Sequence, residues 1–306
     1  MNVQILTGVQ IGYIISKVLL INLIEISRKE KNKMCIFCTP LGCHAPNVRM
    51  QSTSCYVVER KNKLLILDMG IGVKFKVINY IVSGKYSPED ITIVISHNHI
   101  DHVAGINALG EFMVKFFSHS KIKLFMSDTS QKYNDWYHKI RKKYSLVFDI
   151  SVINEKKCLE FVDLQMSFCK TNHCEDKLKS FATKISHGNE SFVYTSDIAS
   201  IDNNLKSFIK NTDLVMVDAG NPVKRVKTLE GYHGNTRDNV CEILNSGVGN
   251  IYLTHLKACF DESDYINSLT IDSKKNVNLV KTEVAFDIFT GEKSFEYNGD
   301  MSVLMA

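Results

Sequence analysis

The chain has 306 residues, 44% of them apolar, enough to bury a large core in one main domain. Its net charge of +4 is too mild to demand a nucleic-acid partner, though it would not repel a phosphodiester. Nine cysteines, an odd number without regular spacing, argue against a disulfide scaffold and read as reduced thiols in a cytoplasmic setting.

Residues 1–33 form an N-terminal extension set apart from the rest. Positions 9–26 are apolar but interrupted by Gln10, Lys17, Asn22 and Glu25, and the charged run 28–33 follows. Lys17 and Glu25 count against a spanning helix, and the start lacks the basic segment and cleavage pattern of a secretory signal. An amphipathic helix on a protein or membrane surface and a native start at Met34 are both open, and no role is assigned to the segment.

From residue 34 to 306 the pattern alternates between short apolar runs and helical spacing, as expected of an α/β domain. Strands are expected at 64–68, 91–95, 121–126, 164–169, 192–196 and 251–254. Helices are expected at 103–117, where Ile106, Leu109, Phe112, Met113 and Phe116 share a face, at 129–143 and at 240–245. The 129–143 segment carries Lys132, Arg141, Lys142 and Lys143 around Trp136, and reads as a solvated face with a core-facing indole. Cys35 and Cys38 alternate poorly for chelation and read as buried, inert thiols.

The chemistry begins at Ser96-His97-Asn98-His99-Ile100-Asp101-His102, on the loop leaving the strand 91–95. Alternation sends His97 and His99 to one side, with Asp101 and His102 turning to another, so one loop can serve two metal ions. Neutral imidazole and carboxylate are the usual ligands of zinc, with manganese or iron as substitutes. His173, Asp197 and His255 repeat the design, each lying just past an apolar run.

The order His97-x-His99-x-Asp101-His102, His173, Asp197 and His255 resembles that of the metallo-β-lactamase superfamily of dinuclear hydrolases, over roughly residues 34–306. The resemblance implies an αββα sandwich, two mixed β-sheets packed face to face with helices outside and all ligands at one rim. It implies that His97, His99 and His173 hold one ion, that Asp101, His102 and His255 hold the other, and that Asp197 bridges them. True β-lactamases of this superfamily use a cysteine in the second site, so that activity is not expected. Gly231-Tyr232-His233-Gly234-Asn235-Thr236 is similar to the histidine motif of the ribonuclease Z-like branch. There the histidine handles a proton on the phosphate or leaving oxygen, which implies that role for His233, with Asp218 as the acid that orients it. Asp68, ending the run 64–68, is expected to fix the tautomer of a ligand histidine, with turn capping as the alternative.

A dinuclear site of this kind activates water and stabilises charge on phosphoryl oxygens, with Asp101 and Asp197 aiming the nucleophile. The expected activity is phosphodiester hydrolysis. Ribonuclease Z proper carries a long transfer-RNA-gripping arm between the counterparts of His173 and Asp197. Here 23 residues fill that interval, enough for a two-strand return. The expected substrate is therefore a cyclic nucleotide or short oligonucleotide rather than transfer RNA. The alternatives are a carboxylic ester, thioester or lactone hydrolase and a non-catalytic metal-binding sensor. A homodimer and membrane contact through residues 9–26 stay open.

Overall fold

Two faces of the same strands bury apolar residues on opposite sides, and this decides the layer order. In the computed structural model, Val57, Leu64 and Ile66 join one cluster, while Val58, Leu65 and Leu67 join another. Successive side chains of a strand point to opposite faces, so a sheet apolar on both needs cover on both. The structure describes residues 35–46, 51–127, 134–174, 178–222, 232–257, 259–269 and 276–294. The chain divides into two units, Met1–Cys35 and Ile36–Ala306, and the fold below is that of the second. The extension 1–33, with its surface-helix expectation for 9–26, lies outside the described residues. Among the described residues no helix is long and apolar enough to cross a membrane.

The first sheet contains β1 (Phe37–Gly42), β2 (Cys55–Arg60), β3 (Lys63–Leu67), β4 (Ile91–Ile95), β5 (Ile122–Ser127), β6 (Phe148–Ile153) and β14 (Phe286–Asp287). Their order is β14-β1-β2-β3-β4-β5-β6, antiparallel up to β3 and parallel from β3 to β6. The second contains β7 (Cys158–Phe161), β8 (Leu164–Thr171), β9 (Ser180–His187), β10 (Glu190–Tyr194), β11 (Leu214–Asp218), β12 (Asn250–Thr254) and β13 (Val277–Leu279). Its order is β13-β12-β11-β10-β9-β8-β7, with β10 to β13 parallel and the rest antiparallel.

Between the sheets, Tyr56, Leu65, Leu67 and Val94 meet Met166, Phe168, Phe192, Tyr194 and Met216. Outside the first sheet, α1 (Lys74–Val82), α2 (Ile100–Phe116) and α3 (Asn134–Tyr144) cover Ile66, Ile93 and Leu124 with Val77, Ile106, Met113 and Ile140. Outside the second, α4 (Asn203–Ile209), α5 (Thr236–Leu244) and α6 (Glu262–Ser268) cover Val193, Val215 and Ile251 with Leu205, Val240 and Tyr265. Each fully buried aliphatic side chain of this kind contributes ~1.5–3 kcal/mol of transfer free energy. The layers are those of the metallo-β-lactamase-type αββα sandwich expected above.

Two helices start earlier than their apolar spacing predicts. α2 opens at Ile100, not 103, directly off His99, which occupies its N-cap with extended backbone. α5 opens at Thr236, not 240, because Asn235 caps it by accepting from Asp238 N at 3.2 Å. α3 is described from Asn134, and residues 129–133 of the expected helix lie outside the described residues. Trp136 packs against the outer core cluster while Lys142 and Lys143 are exposed. Between His173 and Asp197 stands the antiparallel pair β9–β10, turning at Gly188 with φ +58°, so the interval holds a hairpin in place of an arm.

Candidate dinuclear metal centre

Six of the sequence-selected residues stand at the C-terminal end of a strand whose direction points to one rim. β3, β4, β8, β10, β11 and β12 run the same way within their sheets, and lead to Asp68, His97, His173, Asp197, Asp218 and His255. Four of these exits carry left-handed backbone at residues other than glycine: Asp68 (φ +60°), Cys174 (φ +50°), Ser196 (φ +55°) and His255 (φ +56°). Such backbone costs of order 1–3 kcal/mol and persists where packing over-determines it. Gly70 permits the close approach of the β3 exit to α2, since a Cβ there would lie 2.0 Å from the Asp101 carbonyl oxygen.

His97, His99, His173 and Asp197 place one ligand atom each within 4.8 Å of one another, and so do Asp101, His102, Asp197 and His255. Asp197 belongs to both groups and faces each with a different oxygen. Its Oδ2 lies 3.6 Å from His97 Nε2 and 3.7 Å from His173 Nε2. Its Oδ1 lies 3.3 Å from His102 Nε2 and 3.6 Å from His255 Nε2. His255 Nε2 also lies 3.0 Å from Asp101 Oδ2. Asp101 and His102 reach the second group from the first turn of α2, which rotates them away from His97 and His99.

The ring orientations are held from behind. His102 Nδ1 donates to Asp68 Oδ2 at 2.7 Å, since a carboxylate only accepts. His173 Nδ1 donates to the Tyr232 carbonyl at 2.6 Å. Both leave Nε2 as the lone-pair nitrogen facing the cluster, the arrangement by which ligand histidines are fixed. His97 Nε2, His102 Nε2 and Asp197 Oδ1 are buried with no hydrogen-bond partner among the described residues. Orphaned buried polar atoms are costly, and imidazole nitrogens with carboxylate oxygens are a donor set for divalent metal. The residues present therefore fit two such ions.

The charges agree. Burial opposes ionisation of Asp101, yet His102 and His255 hold its carboxyl well below the usual range. Burial likewise opposes the charge of Asp197, and His255 and His102 outweigh it. Burial disfavours a proton on His255, but Asp197, Asp101 and Asp218 push its pKa up to about 10. On the other side, burial and the neighbouring His173 bring His99 down to about 4, leaving a neutral imidazole. A cluster of buried carboxylates that stays ionised requires positive charge among them, which protons or cations supply.

His233 stands beyond the ligands. Its ring stacks on His255 with centroids 4.8 Å apart, and its Nδ1 donates to Asp218 Oδ2 at 2.7 Å. Asp218 also accepts from Ile198 N and Gly220 N, at 3.1 and 2.7 Å, and its Oδ1 lies 3.4 Å from His255 Nδ1. Its oxygens are thus taken up by donors, which suits orientation better than metal ligation. Gly234, where the related motif carries serine, sits against Ala199, whose carbonyl oxygen would be 2.0 Å from an added Cβ. Sequence reasoning missed Tyr194, whose hydroxyl donates to Asp68 Oδ2 at 2.7 Å, and Ser96, which donates to both Asp68 oxygens. Tyr194 lies within a strand and reads as ordinary core.

Two mixed sheets face to face, with His and Asp side chains gathered on one rim, define a metallo-β-lactamase-fold protein. Residues 39–262 match the family described as "Anti-Pycsar protein Apyc1", and the chain belongs to that family. No curated protein matches the sequence. Among solved structures, the metallo-β-lactamase fold protein YhfI from Bacillus subtilis aligns with a TM-score of 0.68 at 22% identity, covering 83% of this chain and 100% of that one. The short form of human tRNase Z aligns with a TM-score of 0.61 at 14% identity, covering 82% and 99%. Unliganded yeast PDE1 aligns with a TM-score of 0.62 at 12% identity, covering 81% and 98%. At these identities the likeness is one of fold.

Proposed function

We propose that the chain is a dinuclear metal-dependent phosphodiesterase acting on a small nucleotide phosphodiester, foremost a cyclic mononucleotide. The observation that carries this is the His233–Asp218 pair, stacked on the metal-site histidine His255 and still 13% exposed at the His233 side chain. A phosphodiester's leaving group departs as an alkoxide, and an imidazole held beyond the metal-site residues is placed to protonate it.

His97, His99 and His173 would hold one ion, Asp101, His102 and His255 the other, with Asp197 between them and zinc as the expected metal. When bound, such ions activate water and offset charge on the phosphoryl oxygens. The chain's own residues do the rest. His233, with Nδ1 committed to Asp218, presents Nε2 for the proton that the departing ester oxygen takes up as the new P–O bond forms and the old one breaks. Asp218 keeps that tautomer and stabilises the positive imidazole. Membership in the Apyc1 family, whose name and fold point to cyclic nucleotide phosphodiesterases, supports the substrate class. The β9–β10 hairpin between His173 and Asp197 supports a small substrate over transfer RNA.

The test is metal analysis of the protein together with turnover of a cyclic nucleotide, bis-para-nitrophenyl phosphate and a para-nitrophenyl acyl ester. Two metal equivalents and turnover of the phosphodiesters are expected. Preferential cleavage of the acyl ester, undiminished in His233→Ala, would overturn the reading in favour of a carboxylic ester hydrolase.

A further inference from the structure

Next to the metal rim, on the β12–β13 side, lies a cavity of about 300 Å³ that the ligand set does not use. Three strand exits build it. Cys43 and His44 follow β1, Leu256 and Lys257 follow His255 at the end of β12, and Val280 to Thr282 follow β13. The first two exits are joined by Ala45 N to Leu256 O and Leu256 N to Cys43 O, both 2.9 Å. Lys257 N donates to the Tyr265 hydroxyl at 2.7 Å, which ties the wall to α6. The cavity is therefore preformed, and its wall begins at the residue after a metal-site histidine.

We infer that this cavity, walled by His44, Leu256, Lys257, Phe260 and Thr282, seats the nucleoside part of the substrate whose phosphate meets the metal centre. The inference rests on the phosphodiesterase reading above and adds to it the place and size of the recognition site. Small-molecule pockets run from ~300 to ~1,000 Å³, so this one is of a size for a single nucleoside. Phe260 is half-buried, with its ring centroid 6.2 Å from that of Tyr265 in an edge-on pair, which leaves a face for a flat base. An acyl chain would need an apolar wall throughout. Here His44, Lys257 and Thr282 intersperse donors and acceptors with Leu256 and Phe260, which matches a base and sugar. Lys257, half-buried in the lining, and Lys281 supply the cavity's positive charge, beside the acids Asp261 and Glu262.

The experiment compares kcat/KM for a cyclic nucleotide with kcat/KM for bis-para-nitrophenyl phosphate in the full, metal-loaded chain. It uses Phe260→Ala, which removes the stacking face, and Thr282→Phe, which fills the cavity. Loss of a base–aromatic contact costs ~1–3 kcal/mol, so the ratio should fall about fivefold or more in Phe260→Ala, and filling the cavity in Thr282→Phe should lower it by at least as much. Calorimetric binding of the same nucleotide should weaken by a similar factor, independently of turnover. A ratio and an affinity unchanged in both variants would overturn the inference while leaving phosphodiester cleavage intact. Failure of the phosphodiesterase reading looks different: the wild-type protein would cleave neither phosphodiester. Nucleotide binding unchanged in both variants would then dispose of the cavity as well.

Discussion

Asp218 accepts the Nδ1–H of His233 at 2.7 Å through one oxygen, and its other oxygen lies 3.4 Å from His255 Nδ1. One carboxylate thus holds the His233 ring by a hydrogen bond and places negative charge beside His255. The two substitutions should therefore differ. His233→Ala should lower turnover of a phosphodiester by about 10²–10⁴-fold while metal content stays at the wild-type level. Asp218→Asn should lower turnover and also weaken one of the two metals, because the negative charge beside His255 is lost. Metal analysis beside steady-state kinetics on both variants separates the two roles.

The residues that gather at the rim were legible because most follow an apolar run, and a strand exit is where polar side chains converge. The start of α2 was not. Ile100, Asp101 and His102 look like loop, His99 makes no side-chain cap, and the amphipathic spacing becomes clear only from Ile106. The α5 start carried a signal, Asn235 before Thr236, that Gly234 disguised as a turn. Left-handed backbone at Asp68, Ser196 and His255 had no glycine to announce it. The Tyr194–Asp68 bond spans 126 positions and depends on how the two sheets face each other, which no local pattern encodes.

Asp68 is buried and accepts from Ser96 N, Ser96 Oγ, His102 Nδ1 and Tyr194 Oη at 2.7 to 2.9 Å. Asp68→Ala leaves these donors without their acceptor inside the fold. Each buried orphan costs ~1–3 kcal/mol, and loss of a partner behind a ligand histidine typically costs 10–100-fold in metal affinity. Competitive chelator titration should show the affinity loss, and thermal unfolding of the metal-free protein should show the stability loss separately. Asp68→Asn should weaken metal binding too, since an amide cannot accept all four bonds.

Metal removal should lower stability without unfolding the domain, because three apolar clusters hold the layers independently of the rim. A ligand present at 100 times its Kd stabilises by ~2.7 kcal/mol. For a domain of this size that is roughly 5–10 °C in Tm. Scanning calorimetry before and after exhaustive chelation, with re-addition of zinc, measures it. Complete unfolding on chelation would show that the rim, and not the sandwich core, holds the fold.

Cys38 and Cys55 are fully buried among apolar side chains, and burial pushes both thiols far above their ordinary pKa. The raised pKa means that the folded state keeps these protons while the unfolded chain releases them above ~8.5. Their contribution to stability is therefore whole below that pH and is lost as pH rises, by about 1.4 kcal/mol per thiol for each pH unit. Denaturant midpoints measured from pH 7 to pH 10.5 should fall along this slope. A Cys38→Ala, Cys55→Ala variant should be less stable at pH 7, because each change leaves a small cavity, yet should lose stability with pH less steeply. In the native protein at pH 8 the same two thiols should resist alkylation, while Cys158 and Cys259, which are exposed, should react. Rapid labelling of Cys38 or Cys55 under those conditions, mapped by peptide mass, would contradict their place in the core.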